Sequence, residues 1–267
     1  MAVFSSLNYI LQVFVFRKRF LTKKLLFKTP VEFKVAAKDV IGRTIFKKGG
    51  YDTELTNYIL DHIEFSENDV FIDVGANIGW YSILVGKNNP FLNKVVAFEP
   101  DPFNFTLLQE NIKKNEGNKV LANKIAVSDK VSTATLYKYS EHNLGRHSLL
   151  PINDGERLEV KTTTLDDYWD EHMSPQDIPR LIKIDTEGYE YNVVLGAGKL
   201  LEKGPVVLAE FSPRYMQRGG VKPADFISLM QGHGYSPHKL EGGVLESVEL
   251  RDLEDIDGYI NLFWLQS

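Results

Sequence analysis

The fold is decided by the stretch Val70-Phe71-Ile72-Asp73-Val74-Gly75-Ala76-Asn77-Ile78-Gly79-Trp80-Tyr81-Ser82. An apolar run short enough for a buried strand ends in an acid, and a turn with spaced glycines follows it. This order is typical of a doubly wound α/β sheet, which binds its ligand beyond the carboxyl ends of the strands. Because glycine has no Cβ, the two glycines allow a tight turn and the close approach of a ligand. We therefore predict cofactor contacts from Asp73, Gly75, Asn77, Gly79 and Tyr81.

The spacing in this turn indicates which cofactor to expect. A dinucleotide-binding loop reads Gly-x-Gly-x-x-Gly and brings a pyrophosphate onto a helix N-terminus. Here the order is Gly-x-Asn-x-Gly, with an acid two residues before the first glycine. S-adenosylmethionine has no phosphate, and an acid together with turn amides suits its ammonium and carboxylate groups. A nicotinamide-dependent dehydrogenase stays open as an alternative, although the missing middle glycine argues against it.

A second apolar run, Val95-Val96-Ala97-Phe98, ends in Glu99-Pro100-Asp101. An acid at the end of the second strand is the usual acceptor for ribose hydroxyls. A third strand is expected within residues 122–128, and Ala126 near its end is placed to pack on adenine. The predicted contacts beyond the first turn are Glu99, Pro100, Asn104, Ala126 and Asp185.

Three blocks of sequence resemble the signature of the FkbM family of methyltransferases. They are Asp73-Val74-Gly75-Ala76-Asn77-Ile78-Gly79, Phe98-Glu99-Pro100-Asp101-Pro102 and Lys183-Ile184-Asp185-Thr186-Glu187-Gly188-Tyr189-Glu190. The resemblance covers about residues 50–212 and departs at Thr186, where the family more often has a small aliphatic residue. It implies a class I, Rossmann-like methyltransferase fold with a mostly parallel seven-stranded sheet. It also implies S-adenosylmethionine-dependent O-methylation of a sugar, glycolipid or secondary-metabolite hydroxyl.

Transfer to a hydroxyl needs a group that removes the proton of the acceptor. Asp185 is the first candidate, because it ends the strand nearest to the expected methyl group. His147 and His142 are the next, because imidazole titrates near neutral pH and both lie in a polar loop at residues 140–151. A magnesium site at Asp185, Glu187 and Glu210 is the weaker alternative, since these acids have no fixed ligand spacing, and no metal is assigned. A non-enzymatic scaffold also stays open, although the intact acids at the strand ends argue against it.

Composition limits the classes of partner. The 267 residues include no cysteine, which excludes disulfides and thiolate chemistry, and they suit one large α/β domain. The net charge is −5, but residues 1–50 hold eleven basic and two acidic residues, leaving −14 on the remainder. An acidic body repels phosphate, so a nucleic-acid partner is not expected. The family resemblance implies that the acceptor is a small molecule or a glycan.

The N-terminal residues form a separate feature, and we divide the chain into an extension at 1–48 and a methyltransferase domain at 49–267. Apolar residues recur at helical spacing at Val3, Phe4, Leu7, Ile10, Leu11 and Phe14, and six basic residues follow between 17 and 28. This run is too short to span a bilayer, and its order is the reverse of a secretory signal.

Residues 1–28 are expected to lie on a membrane, or to pack on the body or on a second copy in a homodimer. The expected location is the cytoplasm, at the inner face of a membrane if the first alternative holds. A hairpin is predicted over residues 31–45.

Overall fold

The computed structural model describes residues 2–140, 142–151, 155–254 and 256–266, with only the backbone at 2–5 and 254. Met1 and Glu141, which belong to the predicted extension and loop, lie outside the described residues, as do the side chains of Val3 and Phe4. The helices are α1 Ala2–Ile10, α2 Val40–Lys48, α3 Thr53–His62, α4 Trp80–Asn88, α5 Pro102–Lys114, α6 Leu165–His172, α7 Glu190–Leu195, α8 Gly198–Leu201, α9 Pro213–Arg218, α10 Pro223–Gly232 and α11 Leu250–Glu254. A π-helical turn, Leu11–Val15, and a 3₁₀ turn, Leu144–Arg146, complete the helical segments.

The strands are β1 Phe20–Leu26, β2 Pro30–Ala36, β3 Asp69–Val74, β4 Lys94–Phe98, β5 Val120–Asn123, β6 Ala126–Val127, β7 Ser132–Tyr137, β8 Arg157–Thr163, β9 Ile178–Ile184, β10 Val206–Phe211, β11 Tyr235–Glu241, β12 Val244–Ser247 and β13 Ile260–Gln266. The main sheet has the order β12-β11-β13-β10-β9-β3-β4-β5. Its five strands from β10 to β5 pair in parallel, and β13 pairs antiparallel with both of its neighbours. The predicted mostly parallel α/β sheet is therefore confirmed.

An eighth strand joins the seven that were predicted. β12 pairs antiparallel with β11 through the two-residue turn Gly242-Gly243, in which both glycines have positive φ. Such turns suit the right-handed twist of a hairpin. The added strand extends the edge of the sheet farthest from β5 and leaves the order of the other seven unchanged.

The central strand β3 is buried along its whole length. Its side chains alternate between two hydrophobic clusters, with Phe71 in one and Val70, Ile72 and Val74 in the other. A strand buried on both faces is the consequence of helices covering both faces of a parallel sheet. The carboxyl end of β3 leads into the turn at residues 75–78, which lines a crevice.

Two predicted boundaries are wrong. The hairpin lies at β1 and β2, and residues 40–48 form α2, where Asp39 caps the helix by accepting the amide proton of Gly42 at 2.9 Å. Residues 122–128 do not form one strand: β5 ends at Asn123, and β6 pairs with β8 in a separate three-stranded sheet. In each case a local pattern of apolar residues fits either assignment, and pairing with distant residues decides.

The hairpin of β1 and β2 is fastened to the body by two asparagine side chains of helix α5 and its C-cap. Asn111 exchanges hydrogen bonds with the backbone N–H and C=O of Lys34 at 2.7 and 3.0 Å, and Asn115 does the same with Glu32 at 2.8 and 2.7 Å. Phe33 packs against Trp80 at 5.1 Å between ring centroids. The hairpin therefore shares its core with the sheet. Within the described residues, no helix is long and apolar enough to cross a bilayer.

Candidate active site

A crevice in two connected parts lies at the carboxyl ends of β3, β4 and β9. The first part, which we call the β4 half, encloses about 540 Å³ with its mouth and is lined by Glu99, Pro100, Asn104, Ala126 and His147 among others. The second part, which we call the acid half, encloses about 1010 Å³ and is lined by Tyr51, Asp52, Glu187, Glu210 and Tyr259 among others. Gly75, Asn77, Gly145 and Asp185 line both parts. A ligand that is long enough can therefore lie across both.

The turn after β3 forms the floor between the two halves. Gly75 has φ +78°, and a Cβ at this position would lie 1.9 Å from the carbonyl oxygen of Asp185. Asn77 has φ +51°, in the left-handed region that asparagine tolerates better than most residues. Gly79, with φ +88°, begins helix α4, and a Cβ there would lie 2.6 Å from Leu108. The two glycines are thus required by conformation and by space, and Gly79 itself contacts neither half.

Glu99 is buried at the end of β4 and holds this turn in place. One of its carboxylate oxygens accepts the amide proton of Asn77 at 2.8 Å, and the other accepts that of Asp101 at 2.8 Å. Burial raises the pKa of Glu99 to about 8, against the opposing effect of these two hydrogen bonds. Each oxygen keeps a second lone pair for a ligand hydroxyl.

Asp73 lies beneath the crevice. Its side chain is 1% exposed, and one carboxylate oxygen accepts hydrogen bonds from the amide and the hydroxyl of Ser82 at 3.1 and 2.5 Å. The other oxygen lies 3.6 Å from the Lys183 ammonium. The carboxylate therefore fastens the first turn of α4 to β9, and neither half of the crevice is lined by Asp73.

The remaining predicted cofactor residues divide between the halves. Pro100, Asn104 and Ala126 line the β4 half, where the Asn104 side-chain amide donates to the carbonyl of Leu144 at 2.9 Å. The Oδ1 of Asn104 has no hydrogen-bond partner among the residues that the structure describes. Tyr81 lines the acid half, and its hydroxyl donates to Asp52 at 3.4 Å. Burial is the largest cause of the raised pKa of Tyr81.

The 3₁₀ turn of the predicted loop lies across the junction of the two halves. The amide of Leu144 donates to Asp39 at 2.9 Å, and Gly145 lies so close to Ile41 that an added Cβ would be 2.8 Å from its Cδ1. His147 lines the β4 half, and its Nδ1 accepts the amide proton of Tyr139 at 3.1 Å. Burial lowers the pKa of His147. His142 is exposed and lines neither half.

Three carboxylates converge in the acid half. Asp185 follows β9, Glu187 is two residues farther on, and Glu210 lies in β10; one oxygen of each lies within 4.8 Å of the others. Glu210 is 8% exposed and, across the described ranges, its carboxylate has no hydrogen bond or ion pair. Burial, and then the charge of Asp185, raise the pKa of Glu187 to about 8 and that of Glu210 well above its usual value. Oxygen ligands in this arrangement are of the kind that Mg²⁺ accepts.

A single buried lysine offsets part of this charge. The Lys183 ammonium lies 3.2 Å from Asp185 and 5.1 Å from the centre of the Tyr81 ring. Asp52, whose pKa is raised to about 6 chiefly by burial, adds a fourth acid nearby. Sequence reasoning did not assign roles to Lys183 or Asp52. A cation between Ile182 and Ile184, in the buried carboxyl-terminal part of β9, was the signal for the first, and no local signal existed for the second.

Glu190 has a structural position in the third block. It is fully buried, and one oxygen accepts from the amide of Thr186 at 2.9 Å, the hydroxyl of Thr186 at 3.0 Å and the amide of Gly188 at 3.1 Å. Thr186, the residue at which the sequence departs from the family pattern, thus contributes its hydroxyl to the hydrogen bonds of Glu190. These hydrogen bonds hold Glu187, with φ +55°, at the edge of the acid half.

Comparison with known proteins gives a consistent result. Residues 73–237 match the model of the family described as the methyltransferase FkbM domain. The hexuronic acid methyltransferase AglP of Haloferax volcanii is 27% identical over 168 residues, which are 62% of this chain and 63% of that protein. Methyltransferase sdnD of Sordaria araneosa is 25% identical over 175 residues, 55% of this chain and 67% of that protein. The crystal structure of methyltransferase FkbM from Methylobacillus flagellatus KT superposes with a TM-score of 0.48 at 16% identity, covering 76% of this chain and 45% of that one.

Proposed function

The chain belongs to the FkbM methyltransferase domain family, and from this premise we propose that it transfers the methyl group of S-adenosylmethionine to a hydroxyl oxygen of a sugar. The observation that carries the proposal is the crevice itself. A glycine turn braced by Glu99 lies between a largely apolar half and a half with four acids. The two halves match the two ends of this donor, a nucleoside and a cationic sulfonium amino acid.

The adenosine is assigned to the β4 half. Glu99 ends the second parallel strand, where its free lone pairs can accept ribose hydroxyls. Ala126, Val127 and Leu136 offer an apolar wall for the adenine ring. His147 accepts a backbone proton through Nδ1, which suits a neutral ring in this wall.

The methionine end is assigned to the acid half. The donor carries a sulfonium and an ammonium, and the excess of carboxylates over Lys183 and Arg146 favours positive charge there. The turn amides at Gly75 and Ala76 donate to the carbonyl of Phe98 at 3.1 and 2.9 Å, so the turn is rigid before the donor binds.

Transfer is an in-line displacement. The acceptor oxygen attacks the methyl carbon, the carbon–sulfur bond breaks, its electron pair stays on sulfur, and S-adenosylhomocysteine leaves. The hydroxyl proton passes to a carboxylate of the acid half. We assign it to Glu210, because Asp185 is already paired with Lys183, whereas the Glu210 carboxylate has no hydrogen bond or ion pair among the described residues. Burial favours the protonated form of Glu210 by raising its pKa, and the positive charge of a bound donor would favour the ionised form that accepts the proton. Asp185 is then a positioning residue for the sulfonium.

The sugar acceptor is supported by AglP, whose name specifies a hexuronic acid. A hydroxyl of a secondary metabolite is the second candidate, and it rests on the resemblance of the three signature blocks to the FkbM family. The acid half favours a neutral hydroxyl over an anionic group, so we expect uncharged glycosides to be methylated faster than hexuronates. An Asp185-Glu187-Glu210 metal site would polarise the same hydroxyl, and exhaustive chelation distinguishes it from direct base catalysis.

Two measurements test the proposal. Calorimetry of the protein with S-adenosylmethionine and with NAD should give saturable heat with the first only; heat with NAD alone would overturn the assignment in favour of a dehydrogenase. Incubation with donor carrying a deuterated methyl group, and with neutral glycosides, hexuronates and a cell extract, should give a product with the added labelled methyl on oxygen. Donor binding without any labelled product would indicate a scaffold that keeps the fold and the cofactor.

A further inference from the structure

A seven-residue stretch near the N-terminus is exposed throughout. It reads Phe14-Val15-Phe16-Arg17-Lys18-Arg19-Phe20, and we call it the basic-aromatic turn. Phe14, Val15 and Phe16 are 67%, 61% and 63% exposed. Soluble surfaces rarely carry so many large apolar side chains in succession. Leu7, Ile10 and Leu11 continue the exposed apolar surface along the preceding helix.

The turn is folded and anchored. The hydroxyl of Tyr9 donates to the carbonyl of Ala37 at 2.7 Å, and Val13 is buried in the shared core. The amide of Lys18 donates to the carbonyl of Gln12 at 3.0 Å, and the carbonyl of Arg19 accepts from the amide of Ala37 at 2.9 Å. One face of the segment therefore packs against the body of the protein. The opposite face carries the basic-aromatic turn, which is exposed.

The charge of this surface has one sign. The side chains of Arg17, Lys18 and Arg19 form no ion pair with any residue in the described part of the chain. The first acid in the sequence is Glu32, and residues 1–50 have a net charge of +9. Basic side chains beside exposed phenylalanines are the combination that binds the interface of an anionic bilayer.

We propose that the basic-aromatic turn docks the protein on the surface of an anionic lipid bilayer. The phenylalanines enter the boundary between headgroups and acyl chains, and the three cations contact anionic headgroups. A second copy fits this surface poorly, because a two-fold contact would bring the same cations together. An acidic protein is the other partner with matching charge. Its surface would have to be apolar as well as acidic in order to cover the exposed phenylalanines.

The segment that carries the docked surface packs on a helix that reaches the crevice, which gives the proposal a consequence for the acceptor. Tyr9 packs on Phe46 of helix α2 at 6.1 Å between ring centroids, and Val40 and Ile41 at the start of that helix line the acid half. If the proposed methyl transfer holds, the acceptors reached in this orientation are hydroxyls of molecules carried at the membrane surface, such as a lipid-linked sugar.

The test uses the full chain with vesicles of phosphatidylcholine alone and of phosphatidylcholine mixed with phosphatidylglycerol. We expect sedimentation with the anionic vesicles only, and less of it at high salt. The variants Phe14→Ser/Phe16→Ser and Arg17→Gln/Lys18→Gln/Arg19→Gln should each lower the bound fraction at least about tenfold, since each removes one of the two required contributions. The matched controls, Phe91→Ser and Lys113→Gln/Lys124→Gln/Lys130→Gln, remove the same kinds of exposed side chain elsewhere and should bind like wild type.

Equal sedimentation of turn variants and controls would overturn the proposal, as would no sedimentation of the wild type. A dimer of the wild type that the turn variants lose, measured by sedimentation equilibrium without vesicles, would assign the surface to a second copy instead. Donor binding by calorimetry is measured on every variant and should be unchanged, so failure of membrane docking and failure of the proposed methyl transfer remain distinguishable.

Discussion

The two halves of the crevice are built in opposite ways. In the β4 half both oxygens of Glu99 accept backbone protons, and the residues come from sequence blocks next to strand ends. In the acid half Glu187 comes from the turn after β9 and Glu210 from β10, and among the described residues their carboxylates have no hydrogen-bonded partner. The first half is complete before a ligand arrives, whereas the second gathers carboxyl groups whose ionisation a cationic ligand would favour. We infer that one half supplies recognition of the donor and the other supplies the chemistry.

The junction between the halves is the place where one change should disable both. Gly75→Ala puts a methyl group 1.9 Å from the Asp185 carbonyl oxygen at a φ of +78°. The turn must move, so we expect no measurable donor binding by calorimetry and no labelled product. Gly220→Ala is the matched control, because Gly220 has φ +79° with no atom within 4 Å of the added Cβ. Similar behaviour of the two variants would show that backbone strain alone accounts for the effect and that the contact with Asp185 is unimportant.

Removing the charge of Glu210 should separate chemistry from recognition. Glu210→Gln keeps the shape of the side chain and removes the proposed base, so kcat should fall by about 10²–10⁴. Donor affinity should change far less, because the β4 half is untouched. Glu249→Gln, an exposed acid outside the crevice, serves as the control.

The comparison with Asp185→Asn identifies the base. If Asp185 is a positioning residue, its variant should affect donor affinity and kcat together and should lower kcat less than Glu210→Gln does. A larger loss of kcat for Asp185→Asn, at unchanged donor affinity, would return the role of base to Asp185. Loss of activity on exhaustive chelation, restored by Mg²⁺, would assign both residues to a metal site.

Glu99→Gln should weaken donor binding and leave kcat nearly unchanged, which is the opposite of the effect expected for Glu210→Gln. An amide offers only one acceptor oxygen, so its NH₂ group would face the N–H of Asn77 or of Asp101. A buried N–H left without an acceptor costs about 1–3 kcal/mol, so the donor Kd should rise roughly 5–100-fold. At saturating donor kcat should remain near that of the wild type. A fall in kcat without a change in Kd would contradict the division between the halves.

The contrast between the two halves of the crevice also explains which features could be predicted from the sequence. The glycine turn, Glu99 and the parallel sheet were predictable, because a strand, an acid and a turn are adjacent in the chain and local sterics fix their geometry. The burial of Asp73 was not, since the same acid at a strand end can face the ligand or, as here, Ser82 and Lys183. Glu210 was seen as one more acid at a strand end. Its position beside Asp185 and Glu187, with no partner in the described part of the chain, depends on β10 lying beside β9, and no local pattern of sequence predicts this pairing.

The smallest expected effect concerns stability against pH in the protein without donor. Burial raises the pKa of Glu187 and Glu99 to about 8 and that of Glu190 to about 7, above the value near 4.5 of an unfolded glutamate. Between pH 4.5 and 8 the native state therefore binds more protons than the unfolded chain, and the free energy of unfolding falls as pH rises. We expect the Tm to be lower at pH 8.5 than at pH 6, and Glu187→Gln, which cannot ionise, to reduce this difference by about 3 °C, whereas Glu249→Gln leaves it unchanged. A Tm that rises over this interval would mean that the acids of the crevice are ionised in the folded protein and that the charge of the acid half is already offset without a donor.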